Sequence, residues 1–85
     1  MRIYEFVLPK LGEGIFEATV VKCYKQIGEY IREDEILFDI KTDKVDIDLT
    51  SPVTGEIVEI LCKENSIIPI GDIIARIKVT DGKEL

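Results

Sequence analysis

An internal repeat constrains the fold of this chain more than any other feature: residues 18–40 match residues 55–77 at a constant offset of 37. Val20 and Val21 fall on Ile57 and Val58, Tyr30 and Ile31 on Ile67 and Ile68, and Glu35 on Asp72. Ile36, Leu37 and Ile40 fall on Ile73, Ile74 and Ile77. Gly28 falls on Asn65, and Gly and Asn are the residues that best tolerate positive φ in a tight turn. With 85 residues there is room for only one packed core. Two similar halves must therefore cover each other's apolar faces, since a few strands with one bare face are unstable in water.

The halves read as β structure. No stretch repeats its apolar residues at helical spacing over three turns, whereas short runs rich in Val, Ile and Tyr are cut by turn residues. Strands are expected over 3–8, 19–25, 35–41, 45–50, 56–62 and 73–79. The breakers between them are Pro9, Gly12, Gly14, Gly28, Pro52 with Gly55, and the run 65–71. The expected architecture is all-β: a flattened barrel or sandwich with approximate two-fold symmetry. Its core is assigned to Val21, Cys23, Leu37, Val58, Ile60, Ile74 and Ile77.

Composition narrows the function. Eleven Lys and Arg against 17 Asp and Glu leave a net charge of −6, a field that repels nucleic acid phosphates and anionic lipid, so neither is an expected partner. There is no His, which removes the commonest general base and the commonest nitrogen ligand for metals. Cys23 and Cys62 form no CxxC pattern and read as small buried thiols in a reducing compartment. The first residues carry no signal-peptide run and no apolar run spans a membrane, so a cytoplasmic location is expected, or an organelle matrix if a transit peptide has been removed.

Between the halves lies Lys41-Thr42-Asp43-Lys44-Val45-Asp46-Ile47-Asp48-Leu49, which alternates polar and apolar after Lys44 as a half-exposed strand does. Lys44 is placed at a hairpin tip. Asp43 suits such a turn because its carboxylate can accept nearby backbone N–H bonds, and Thr42 and Val45 are β-branched residues suited to the flanking strands. A tip lysine offers its amine to a modifying enzyme on a rigid support; on charge alone it is one more solvated surface lysine.

Three segments make the reading specific: Leu8-Pro9-Lys10-Leu11-Gly12-Glu13-Gly14-Ile15, Thr42-Asp43-Lys44-Val45 and Ser51-Pro52-Val53-Thr54-Gly55. They resemble the lipoyl domains of the acyltransferase component of 2-oxo acid dehydrogenase complexes, and the likeness spans nearly the whole chain. The resemblance implies a flattened barrel of two four-stranded antiparallel sheets, with lipoate joined by an amide to Lys44 in the hairpin tip. It implies a swinging arm whose chemistry belongs to the cofactor. Its partners would be a lipoate-attaching enzyme, a thiamine diphosphate-dependent 2-oxo acid decarboxylase, the acyltransferase core and a dihydrolipoamide dehydrogenase. Thr42, Asp43 and Val45 flank the modified lysine, and Gly12, Glu13 and Gly14 match the loop that helps a decarboxylase recognise its carrier. One position departs: three residues before the modified lysine the family usually has an acid, and here stands Lys41.

Other functions fit less well. A biotinyl domain resembles the same fold but with methionine on both sides of the lysine, where this chain has Asp43 and Val45. An unmodified structural barrel often lacks the tip lysine. An enzyme would need an enclosed pair among Asp39, Asp46, Asp48, Glu13 and Glu17, yet residues two apart on a strand share a face that is usually solvated. The expected organisation is one lipoyl domain over 1–79, monomeric when isolated, with 80–85 beginning a linker.

Overall fold

A computed structural model describes residues 2–80 and contains eight strands. They are β1 (Ile3–Val7), β2 (Glu17–Cys23), β3 (Tyr30–Ile31), β4 (Ile36–Lys41), β5 (Asp46–Thr50), β6 (Gly55–Ile60), β7 (Ile67–Pro69) and β8 (Ile73–Val79). Two four-stranded antiparallel sheets run β1-β8-β6-β3 and β5-β4-β2-β7. Moving the first order along the repeat (β8 to β4, β6 to β2, β3 to β7) gives the second, so the pseudo-two-fold expected from the sequence is the symmetry of the sheets. The repeats do not form one sheet each. β3 crosses to pair with β6 and β7 crosses to pair with β2, which locks the two halves together.

The short strands β3 and β7 are absent from the expected strand list, and β7 runs through the segment 65–71 read there as a breaker. Both are edge strands of two or three residues, and Pro69 is tolerated at such an edge, where one side needs no ladder donor. The Gly28 and Asn65 pair does behave as the sequence implies, with φ of 96° and 69°. Their N–H groups bond the carbonyls of Ile57 and Val20, themselves partners across the repeat. A second such pair is Asp34 and Gly71, with φ of 72° and 98°.

Four bulges bend the sheets, and they too come in repeat-related pairs. Val21 is the extra residue between the pairs Val20 to Ile40 and Lys22 to Asp39, and Val58 is its counterpart between Ile57 to Ile77 and Glu59 to Arg76. Leu37 and Ile74 are the extra residues of β4 and β8. A bulge sets two residues against one and resets the in–out alternation. Leu37 and Phe38 are thus both fully buried, as are Ile74 and Ala75. The same effect corrects the expected core. Val20 and Ile57 point inward, leaving Val21 41% exposed and Val58 half-buried. Leu37, Ile74 and Ile77 are buried as expected, while Cys23, Ile60 and Cys62 only pack against the core's margin. Phe6 and Phe38 meet across the two sheets with ring centroids 6.2 Å apart.

Two features set where the hairpin stands. Gly55 lies so close to β8 that a Cβ would fall 2.0 Å from the Lys78 carbonyl oxygen, so only glycine allows β6 to pair there. Ser51, fully buried, donates its hydroxyl to the Val53 carbonyl and its N–H to the Glu35 carbonyl, fixing the chain beside the start of β4. At that same end Thr80 donates its N–H to the Thr54 carbonyl, and Val79 to that of Arg2. The opposite end of β4 runs into the tip holding Lys44. Of the expected linker 80–85, Thr80 is thus bonded into the fold, and 81–85 lie outside the described residues.

Candidate functional site

The hairpin of β4 and β5 pairs Lys41 with Asp46, Ile40 with Ile47 and Asp39 with Asp48, leaving residues 42–45 as the turn. Thr42 donates its N–H to the Val45 carbonyl at 2.8 Å. Its hydroxyl accepts the N–H groups of Lys44 at 3.1 Å and Val45 at 3.0 Å, and lies 3.2 Å from the Val45 carbonyl. One side chain thus closes the turn. Neither Asp43 nor Lys44 has positive φ, so the turn is not of the primed kind common in two-residue hairpins, and the Thr42 hydroxyl supplies the acceptor that holds it. The acceptor role expected of the Asp43 carboxylate falls to Thr42, because the Thr hydroxyl reaches both N–H groups from beneath the turn.

Burial separates the site residues. Thr42 is only 9% exposed, so what it contributes at the surface is the shape of the turn. Asp43, Lys44 and Val45 are all exposed. The ammonium of Lys44 lies beside the loop joining β1 to β2: a Cβ on Gly14 would stand 3.9 Å from Lys44 Nζ. Gly14, at φ 76°, adopts a backbone conformation that few other residues reach, and it keeps the loop free of a side chain there. Gly12 sits under the Ile15 side chain and accepts the Ile15 N–H at 3.4 Å, and Glu13 stands exposed between the two glycines. The sequence segments 12–14 and 42–45 are therefore neighbours in space.

Lys41 sits directly across from Asp46 on the outer face. The charge reversal noted at this position is thus offset by an acid on the adjacent strand. Asp39 faces Asp48 on one side and Lys22 on the other, so the carboxylates form a solvated row on the outer face with no enclosure around them.

Two residues that the sequence reading did not place at the site stand beside it. Phe16 is 78% and Ile67 60% exposed, and both line a groove of about 580 Å³ that also touches Gly14, Thr19 and the turn residues Lys41 to Asp43. The signal for Ile67 was the doublet Ile67-Ile68, because on a strand only one of two adjacent apolar residues can face the core. Phe16 had no comparable signal.

The thiols lie elsewhere. Cys23 and Cys62 are free and half-buried. Burial pushes both up, Cys62 to about 11 with the nearby Cys23 adding to it. They are held as neutral thiols at the margin of the core, rather than buried within it as expected.

The family described as "Biotin-requiring enzyme", the biotin and lipoyl attachment family, matches residues 4–77. The chain is 38% identical over 82 residues to the dihydrolipoyllysine-residue acetyltransferase component of the pyruvate dehydrogenase complex of Staphylococcus epidermidis, covering 96% of this chain and 19% of that protein. It is 35% identical, with the same coverage, to the corresponding component of Staphylococcus aureus. The chain thus spans about a fifth of the length of these curated relatives. Among solved structures it resembles the lipoyl domain of the 2-oxoglutarate dehydrogenase complex from Azotobacter vinelandii, with a TM-score of 0.73 and 30% identity over 87% of this chain and 94% of that one.

Proposed function

Since the chain belongs to the biotin and lipoyl attachment family, and within it to the lipoyl domains, we propose that Lys44 carries lipoate in amide linkage and that the domain serves as a swinging-arm carrier in a 2-oxo acid dehydrogenase complex. One observation carries the choice of residue: Lys44 presents its amine at an exposed tip whose shape is fixed by three contacts of a single buried hydroxyl. An attaching enzyme that must modify one amine among many needs such a rigid, protruding target. The residues fit the group, because the amine is free of enclosure and Gly14 leaves its side open. When attached, the dithiolane supplies the chemistry, taking up acyl groups and reducing equivalents and giving them up again.

The chain's own contribution is address and reach. Asp43 and Val45 flank the amine for the attaching enzyme to read, while Thr42 holds the turn in one shape. Glu13, exposed between Gly12 and Gly14 and beside the tip, is the side chain offered to a thiamine diphosphate-dependent decarboxylase. The further partners are the acyltransferase core and a dihydrolipoamide dehydrogenase. Tethering raises the local concentration of the carried group at each active site, so carriage needs no tight binding between domain and enzyme. The half-buried free thiols suit the cytoplasm or an organelle matrix, where cysteines stay reduced. Residues 1–79 form the carrier unit of this reading.

Intact-mass measurement after incubation with a lipoate ligase and lipoate tests the assignment. The wild type gains one lipoyl group and Lys44→Arg gains none. A gain that survives Lys44→Arg, or a biotinyl gain with a biotin ligase where lipoate gives none, refutes it. Changing Glu13 to Gln is expected to leave lipoylation intact and to slow reductive acylation by the cognate decarboxylase; equal loss of both would refute the division of roles.

A further inference from the structure

The groove beside the tip starts where the arm would be attached. Lys44 Nζ lies against Gly14, and Gly14 forms part of the groove wall. The wall continues through Phe16 and Ile67, and the polar residues Glu17, Thr19, Lys41 and Asp43 line it as well. Phe16 and Ile67 are among the most exposed large apolar side chains of the described residues. Both belong to the β2–β7 edge: Thr19 pairs with Ile67, and three positions along the ladder Phe16 accepts the N–H of Ile70. The volume of about 580 Å³ lies within the few hundred to about 1,000 Å³ typical of small-molecule sites. Amide formation at Lys44 removes its positive charge, and with it the group that holds this side chain in water. A neutral, largely hydrocarbon arm that begins at the edge of this mixed polar and apolar groove covers apolar surface on both sides when it lies against Phe16 and Ile67.

We propose that the groove between the hairpin tip and β7 is a resting site for the lipoyl arm, with Phe16 and Ile67 as its apolar floor. This rests on lipoylation of Lys44. The arm divides its time between the groove and solvent, and the dithiolane reacts from the free state only, so docking lowers its reactivity by the free fraction. Phe16 and Ile67 then act as positioning residues that shelter the ring between visits to enzymes.

The test uses the whole chain lipoylated at Lys44 and verified by mass, together with Phe16→Ser, Ile67→Ser and, as a control, Tyr30→Ser. Tyr30 is the repeat counterpart of Ile67, is likewise exposed, and lies outside the groove. All three residues are exposed, so melting temperatures should stay near wild type. Nuclear Overhauser contacts are expected from the arm methylenes to the Phe16 ring and the Ile67 methyls. Reduction of the dithiolane by a water-soluble phosphine is expected to be about threefold slower in wild type than in free lipoamide, if the arm is docked two-thirds of the time. Phe16→Ser and Ile67→Ser should recover most of that factor and Tyr30→Ser none. Contacts confined to residues 43–45, with equal reduction rates in all variants and free lipoamide, would overturn the resting site while leaving the carrier function standing. Failure of Lys44 to accept lipoate would instead overturn the carrier function itself.

Discussion

Replacing Thr42 by Val removes the hydroxyl that shapes the tip and keeps the β-branched bulk of the side chain. Lost are the acceptor for the Lys44 and Val45 N–H groups and a 3.2 Å contact to the Val45 carbonyl. A hydrogen bond contributes a net of about 0.5–1.5 kcal/mol. The two N–H groups sit at an exposed tip and can turn to water, so the total lies near about 1–2 kcal/mol rather than the full sum. For a domain of this size each kcal/mol shifts the melting temperature by roughly 4–8 °C, which gives a fall of about 5–15 °C. Thr42→Ser retains the hydroxyl and should stay close to wild type. Thermal unfolding followed by circular dichroism reads the first effect, and the initial rate of lipoylation by intact mass reads the second, which should fall for Val and not for Ser. If Thr42→Val melted within about 1 °C of wild type and accepted lipoate at the same rate, the hydroxyl would not be what holds the tip.

Gly55→Ala should be far more damaging, of order 3 kcal/mol or more, since its methyl would meet the Lys78 carbonyl oxygen at 2.0 Å; urea titration checks it, and a loss under about 1 kcal/mol would mean that β6 and β8 can separate freely. Lys41→Glu sets a carboxylate opposite Asp46 and should cost roughly 0.2–1 kcal/mol, more at low salt, as measured by thermal unfolding at two ionic strengths. Cys62, raised from 9.0 to about 11, should be alkylated by iodoacetamide at pH 8 about 100-fold more slowly in the folded chain than in denaturant, read by mass. Glu35 is held below its ordinary value first by the Arg32 N–H and then by Lys25, so its folded form binds protons less readily than the unfolded one. Its contribution is therefore present above about pH 4.5 and is lost as the pH falls through the lowered folded value, and Glu35→Gln should flatten that part of the acid unfolding curve.

The repeat at offset 37 made the symmetry and most strands legible because both halves obey the same packing demand, so each apolar position is written twice. Bulges escaped for a physical reason. The in–out alternation of a strand is read with period two, and one extra residue at Val21 or Val58 shifts the inward position by one, so that reading puts the wrong member of each pair, Val20 with Val21 and Ile57 with Val58, in the core. β3 and β7 escaped because two or three residues are too few to show any period. The Asp34 and Gly71 turn pair, in contrast, was present in the repeat and needed only the rule that Asp tolerates positive φ. At the site, Lys44 was visible as a motif, whereas the hold exerted by Thr42 needed three dimensions: a hydroxyl and a carboxylate two atoms apart in reach look interchangeable on paper. The same holds for the groove, whose walls come from the β1–β2 loop, the hairpin and an edge strand far apart in the chain.

Thr80 is bonded at one end of β4 and Lys44 stands at the other, about 20 Å away along a six-residue strand. Between them the described residues form interlocked sheet, so when the body turns about Thr80 the tip turns with it. A tilt of about 30° there carries the tip through roughly 10 Å, a displacement added to whatever the side chain itself can sweep. Stiffness in the body thus converts a small rotation at one end into travel at the other.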